Sequence, residues 1–309
     1  MAIPSGSLTG VTDIAALVQT AYDQYVRMAL RSIPVMRAIA DVKPVQQAMP
    51  GSSVVFSIYS DLAAATSTLT ETTDVSSVAL GNPSQVTVTL QEYGSAVTTT
   101  KKLNLTSFND VDAALADIIA YNAADSIDAV VASVLTAGSN VLYAGTATST
   151  NTVAATDKMT VSLIRKAVTE LRTNKALPRI GELYAAYLHP RQTADLRAET
   201  GTGGFQELSK YVDRTPFVAG AVGVIEGAFV VETPRVPYAA NSASVNVYKA
   251  VVAGREALAE AMGQDISTVI GPQIDALRRF HTIGWYYFGG WSLLRQAAIY
   301  RLETAATNG

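Results

Sequence analysis

Val86-Thr87-Val88-Thr89-Leu90 alternates apolar and polar residues, which is the two-residue period of a half-buried strand. Upstream, residues 54–59 read Val-Val-Phe-Ser-Ile-Tyr, β-branched and aromatic, and give a second strand. Between the two lies a polar stretch from Thr66 to Ser77 in which Ser and Thr dominate. Two strands with so long a connection form a projecting ribbon. A lone ribbon is marginal in water and needs a surface to lie on.

Before the ribbon, Thr12 or Asp13 is placed to cap a helix, and Ile14, Leu17, Val18, Ala21, Tyr25 and Met28 follow at helical spacing. Pro34, Pro44 and Pro50-Gly51 interrupt what comes next, so residues 1–50 read as an arm with a helix rather than a core. After the ribbon, Ser107 and Asp110 have capping-box spacing. Val111, Leu115, Ile118, Ile119, Ile127, Val130, Val131 and Val134 then carry an apolar face to about Leu135. That helix is roughly 40 Å long at 1.5 Å per residue.

The remainder is mixed. A Thr/Ser/Asn stretch to Thr156 reads as loop or edge strand, and Ile164, Ala167, Val168 and Leu171 mark a helix after Thr160. Leu183 to Leu188 is a short strand, and His189-Pro190 opens another helix with proline where its missing N–H does no harm. Ala228 to Glu232 and Val245 to Val252 read as strands, and Arg255 to Met262 as a short helix. Ile283 to Phe288 and Ala297 to Leu302 close the chain as strands.

Composition narrows the function. Hydrophobic residues make up 49% and charged residues 16%, where about a quarter charged is usual. Mean hydropathy is +0.20. This excludes a disordered chain, and no unbroken run approaches about 18 apolar residues, so no membrane partner is expected. With so little charge, the surface is either clothed in Ser and Thr or buried against copies of itself. The 309 residues suggest about two structural units. Net charge is −3, which argues against a dedicated nucleic-acid binder but not against a container of nucleic acid. There is no cysteine, hence no disulfide framework or thiolate site. The first residues lack the pattern of a secretory signal, and cytoplasmic synthesis is the expectation.

Chemistry is sparse. His189 reads as a helix-entry residue, and His281 as the edge of an aromatic cluster with Trp285, Tyr286, Tyr287, Phe288 and Trp291. Gly201-Thr202-Gly203-Gly204 reads as a turn, because Gln206 stands where a dinucleotide loop has its third glycine. Asp125 with Asp128, and Glu256 with Glu260, read as solvated or ion-paired helix faces. The basic pairs Lys101-Lys102 and Arg278-Arg279 suit phosphate or a neighbour's acids, and a net acidic chain favours the acids. Asn104-Leu105-Thr106 fits a glycosylation sequon, which has no use without export. No catalytic, cofactor-binding or metal-binding residue is assigned, no cofactor is expected, and no enzymatic activity is expected. Weight falls instead on shape: arm, ribbon and long helix bury their surfaces only across neighbours.

Leu69-Thr70-Glu71, the Val86–Leu90 strand, Glu92-Tyr93-Gly94 and Thr98 to Thr100 together resemble a family of tailed-bacteriophage major capsid proteins. So do His189-Pro190 with Leu196, the Gly223–Glu232 segment, Trp285 to Trp291 and Ala297 to Leu302, all in the family's order. The resemblance implies an α+β fold shared by tailed phages, encapsulins and herpesvirus capsid floors. It has an N-terminal arm, extended β-ribbon loop, long spine helix, peripheral domain and axial domain. The implied division is 1–50 arm, 51–100 extended loop, 101–149 spine helix and the start of the peripheral domain, 150–265 axial domain, and 266–309 peripheral strands with the C-terminal segment. The implied function is a major capsid protein of a tailed double-stranded DNA phage, found in the virion and assembled in the host cytoplasm as hexamers and pentamers. It encloses DNA without sequence-specific binding. A separate scaffolding protein is expected, because the chain starts too near its arm to carry a scaffolding segment, and so are a portal and, in some relatives, decoration proteins. An encapsulin-type nanocompartment shell is the alternative. An α/β enzyme lacks a reactive constellation, and a surface-layer or adhesin protein lacks an export signal.

Overall fold

The computed structural model describes residues 34–44, 53–59, 61–72, 74–75, 77–106, 111–200, 223–271, 277 and 279–307. A 3-10 turn at Met36–Ile39 leads into β1 (Ala40–Pro44), then β2 (Ser53–Ile58), β3 (Ser84–Thr89) and β4 (Gln91–Thr100). Helices α1 (Lys101–Thr106) and α2 (Val111–Leu135) follow, then β5 (Val141–Tyr143), α3 (Val161–Thr173), β6 (Tyr184–Leu188) and α4 (Pro190–Ala198). Strands finish the chain: β7 (Val224–Ile225), β8 (Ala228–Glu232), β9 (Tyr238–Ala240), β10 (Asn246–Ala253), β11 (Leu258–Ile270), β12 (Phe280–Leu293) and β13 (Ile299–Thr304).

Seven strands form one sheet in the order β5-β13-β10-β6-β8-β7, with β9 added on β10. Its middle strand, β6, is buried along its whole length. The two-residue period explains how. Tyr184, Ala186 and Leu188 face one core, while Ala185 and Tyr187 face another. Helix α3 covers the first face with Val161, Ile164, Ala167, Val168 and Leu171, an i, i+3, i+4, i+7 stripe. Thr160 caps that helix by accepting from the Leu163 N–H at 3.3 Å. The β7–β8 hairpin turns through Glu226 (φ +49°) and Gly227 (φ +83°), the double positive φ of a tight hairpin, for which glycine is the unstrained choice.

Four strands form the second sheet, in the order β1-β11-β12-β4. Strands β11 and β12 make a long antiparallel hairpin with two register shifts, and β1 runs parallel to β11. Helix α2, about 38 Å long at 25 residues, packs its Ile119, Ala123, Ile127, Val131 and Leu135 into a core shared with Ile283, Trp285, Tyr287 and Trp291 of this sheet. Ala185, Tyr187, Val251 and Ala253 of the seven-stranded sheet belong to the same core, so the two sheets are one packed body around α2. From Leu115 to Leu135 this helix is long and apolar enough to cross a membrane by composition, yet its buried stripe is spent on protein.

Strands β2 and β3 pair as the third sheet. Val54, Phe56, Val88 and Leu90 seat its root on Ala259, Ala261 and Phe288. Gly290 permits this seating, since a Cβ there would collide with the Thr89 carbonyl.

Several expectations need correction. Arg255 to Met262 is not a helix. Ala, Leu, Glu and Met favour helix locally, but Leu258–Met262 is hydrogen-bonded on one side to β1 and on the other to β12, and this pairing overrides propensity. The stretch after Pro34 is not wholly outside the core, because Met36 and Ile39 are buried and Ala40–Pro44 is a strand. Nor is 51–100 wholly ribbon, since β4 leaves it and pairs with β12 from Thr100↔Phe280 to Gln91↔Gly289. The sheets are also discontinuous in sequence, for β5 and β13 join the seven-stranded sheet from outside 150–265. The helix at 12–33, the capping residues Ser107 and Asp110 and the 201–204 glycine turn lie outside the described residues.

Candidate functional site

Two buried carboxylates lie at the centre of the molecule, where the sequence suggested solvated or ion-paired helix faces. Asp128 of α2 is 1% exposed. Its Oδ1 accepts from the Met36 N–H at 2.6 Å and the Arg37 N–H at 3.3 Å, so it caps the 3-10 turn before β1. Burial pushes its pKa up, against the pull of those N–H groups. Glu260 of β11 is 0% exposed and receives the Arg37 guanidinium at 2.7 Å and the Tyr287 hydroxyl at 2.9 Å. Arg37 also reaches Asp265 at 3.2 Å. Burial and the Glu260 carboxylate push the Tyr287 phenol far up, so it stays a neutral donor. Apart from Asp128 Oδ2, which is buried without a hydrogen-bond partner, these donors and acceptors answer one another. The group clamps the start of the described chain onto α2, β11 and β12.

Asp125 pairs with Arg235, as an ion-paired face should. Glu256 is paired too, with Arg295 at 2.7 Å, but on a turn rather than a helix. His189 is the N-cap of α4, where its Nδ1 accepts from the Arg191 N–H at 3.1 Å, and burial lowers its pKa. That agrees with a helix-entry role. His281 sits on β12 opposite Thr99. Among the described residues, no group of three or more His, Cys, Asp or Glu is placed to hold a metal ion. An open groove of about 350 Å³ on the four-stranded sheet, lined by Gly94, Ala96, Val269, Gly284 and Trp285 among others, offers no carboxylate, imidazole or amine.

What the surface does offer is uncovered apolar structure. Every described residue from Tyr59 to Asn82 is exposed, including Tyr59, Leu62, Leu69, Val75, Val78 and Leu80. A second uncovered group lies at one end of the four-stranded sheet, where β4 stops, β11 ends and β12 begins. It comprises Leu103, Leu105, Ile270, Leu277 and Phe280. Lys101 and Arg279, far apart in sequence, meet here: the Lys101 N–H donates to the Arg279 carbonyl at 2.7 Å. Large apolar groups left in water on a chain with a complete core mark interaction surfaces.

No curated protein matches the sequence. Solved structures match over nearly the full chain. The capsid of cyanophage P-SCSP1u superposes with a TM-score of 0.77 at 17% identity, covering 98% of this chain and 97% of the other. The capsid of Ralstonia phage GP4 gives 0.74 at 16%, covering 98% of each chain. The acid-stable capsid of Helicobacter pylori bacteriophage KHP30 gives 0.73 at 15%, covering 96% and 98%. These likenesses establish the α+β capsid fold of tailed phages. The encapsulin alternative is not favoured. A family model described as phage capsid protein matches residues 9–298, and by that match over nearly its whole length the chain belongs to the phage capsid protein family.

Proposed function

We propose that this capsid protein is the subunit of a closed icosahedral shell, built of hexamers and pentamers around the double-stranded DNA of a tailed phage. Its role is structural and not catalytic. The observation that carries this reading is the completely exposed, apolar ribbon tip on a subunit whose core is otherwise finished. Such a surface is stable only when a neighbour covers it. In this reading α2 is the spine, the seven-stranded sheet with α3 and α4 is the axial unit, the four-stranded sheet is peripheral, and the ribbon reaches across to the next subunit. A net charge of −3 suits a wall that does not grip DNA, so packaged DNA slides along it. Scaffolding, portal and decoration proteins are the partners such a shell calls for, and the virion is its place.

The test is assembly of the purified full chain over a range of salt and concentration, followed by light scattering and negative-stain microscopy. Capsomers or closed shells are expected. A compact monomer under every condition overturns the proposal.

A further inference from the structure

The turn at Met36–Ile39 is held by two buried carboxylates that are not alike. Glu260 is answered by a cation and a phenol, the Arg37 guanidinium at 2.7 Å and the Tyr287 hydroxyl at 2.9 Å. Asp128 is 1% exposed and, among the described residues, makes no ion pair. Only its Oδ1 is used, by the Met36 and Arg37 N–H groups, and its Oδ2 is buried without a hydrogen-bond partner. An ionised carboxylate so placed gives up the hydration of one oxygen and receives nothing in exchange.

The neighbouring charges are already committed. On the turn itself, the Arg37 guanidinium bridges Glu260 and Asp265 of β11. On the loop before β6, Arg179 pairs with Asp41. One turn earlier on α2, Asp125 pairs with Arg235. On β12, Tyr287 is spent on Glu260. On β6, burial and the Asp128 charge push the Tyr187 phenol up to about 12, so it stays a neutral donor, and its hydroxyl reaches the Val35 carbonyl at 3.4 Å. Burial likewise pushes the Asp128 carboxyl above the ordinary aspartate range, against the pull of the turn's N–H groups. A proton removes the uncompensated charge and leaves Oδ1 able to accept from the Met36 N–H. Lifting the turn off α2 lets water reach both oxygens. Protonation and docking of the turn therefore support one another.

We propose that Asp128 is a proton-operated latch for the Met36–Ile39 turn and the arm it anchors. The turn is held firmly while Asp128 carries a proton and loosely once it is ionised. Docking lifts the carboxyl above its released value, so the stabilisation it gives is complete below the released pKa and is lost as pH rises through the docked one. The Arg37–Glu260 pair is the charge-matched half of the clamp, and Asp128 is the half that responds. At neutral pH the turn is easiest to lift, and lifting it uncovers Met36 and Ile39, which are otherwise buried. The inference goes beyond the capsid-shell reading and needs no shell, so either can fail without the other.

Amide hydrogen exchange followed by mass spectrometry tests it in the full chain, at concentrations too low for assembly. The parent and D128N are compared at about pH 4.5, close to the ordinary aspartate range, and at about pH 7.5, well above it. Each rate is corrected for the intrinsic exchange at that pH. Peptides covering Met36–Ile39 report the turn, and peptides covering β10, Asn246–Ala253, report the core. In the parent, protection of the turn is expected to fall about threefold between the two pH values while that of β10 stays unchanged. D128N keeps an acceptor for the Met36 N–H but has no proton to lose, so its turn should be protected equally at both. The chain has no cysteine, so Ile39→Cys gives a second measure: its labelling rate, divided by that of the unfolded chain at the same pH. That ratio should rise about threefold with pH when Asp128 is present and stay level in D128N. Turn protection in the parent that is flat with pH, a D128N turn as pH-dependent as the parent's, or β10 protection that falls together with the turn would each overturn the inference. Should D128N not fold, the parent alone decides, through the pH dependence of its turn against that of β10.

Discussion

In the seven-stranded sheet, strands β6 and β10 are covered on both faces by side chains of the same molecule. In the β2–β3 ribbon, Val54, Phe56, Ile58, Val86 and Val88 find full or partial cover, and the described tip residues find none. Both regions are built from the same β-branched and aromatic alternation. The difference is in what faces the apolar side. The sheet meets α3 on one face and the α2 core on the other, while the ribbon beyond its root meets solvent. One region is stabilised within the subunit, and the other, in the proposed shell, by another subunit. Stability of the fold and stability of the shell are thereby assigned to different residues.

The strongest way to break that separation is to remove the tip. Replacing Ser67 to Ser77 with a short Gly/Ser linker is expected to abolish closed shells. Subunit stability should stay within about 0.5 kcal/mol of the parent, the usual range for surface changes. Shells as robust as the parent's would make the tip dispensable, and an unfolded variant would place the ribbon in the core. The converse change is Leu171→Ala, at a fully buried position of α3, and should cost about 2–5 kcal/mol in denaturant unfolding of the subunit. Leu69→Ala, at a position 76% exposed, should leave subunit unfolding unchanged and weaken assembly only.

The clamp sharpens the comparison further, because it ties the start of the described chain to the closed region. Glu260→Ala strands the Arg37 guanidinium and the Tyr287 hydroxyl, and about 2–3 kcal/mol of subunit stability should be lost. Arg37 is partly exposed, so water softens the loss below that of a fully buried pair. The smallest effect is at Asp128. Burial raises its folded pKa above the ordinary aspartate range. Protonation is therefore favoured in the folded state, and the stability it contributes is present below the unfolded pKa and lost as pH rises through the folded one. Asp128→Asn keeps an acceptor for the Met36 N–H. It should flatten the fall in stability above pH 4 relative to the parent and change stability at neutral pH by less than about 1 kcal/mol. Urea unfolding of both proteins from pH 4 to 7 checks this, and identical slopes would show that Asp128 does not titrate with folding.

Elements with one dominant local signal were legible in the sequence. The Thr160 cap with its apolar stripe, the His189-Pro190 entry and the alternating strands β3 and β8 all stand where spacing and turn chemistry put them. The long helix was legible to its end at Leu135. What failed depends on distant partners. Nothing in Leu258-Ala259-Glu260-Ala261-Met262 announces a strand, because its strand character comes from β1, over two hundred residues earlier, and from β12. For the same reason Glu260 and Asp128 read as solvated or ion-paired acids on helix faces. Their partners, Arg37 and the backbone at Met36 and Arg37, lie in a stretch whose prolines suggested an arm. Lys101 and Arg279 were visible singly, but only the β4–β12 register brings them together.

That register also governs when the molecule becomes competent. Strand β12 stands between β4 and β11, yet it is made last of the four strands in that sheet. On the ribosome, roughly 180 residues separate the emergence of Thr100 from that of Phe280, about 10–35 s at 5–20 residues per second. Through that interval β1 and β4 have no central strand to join, and Lys101 has no Arg279 beside it. A nascent or truncated chain therefore lacks a finished four-stranded sheet. We propose that completion of synthesis acts as a checkpoint on polymerisation, because the sheet closes only when its last-made strand is in place.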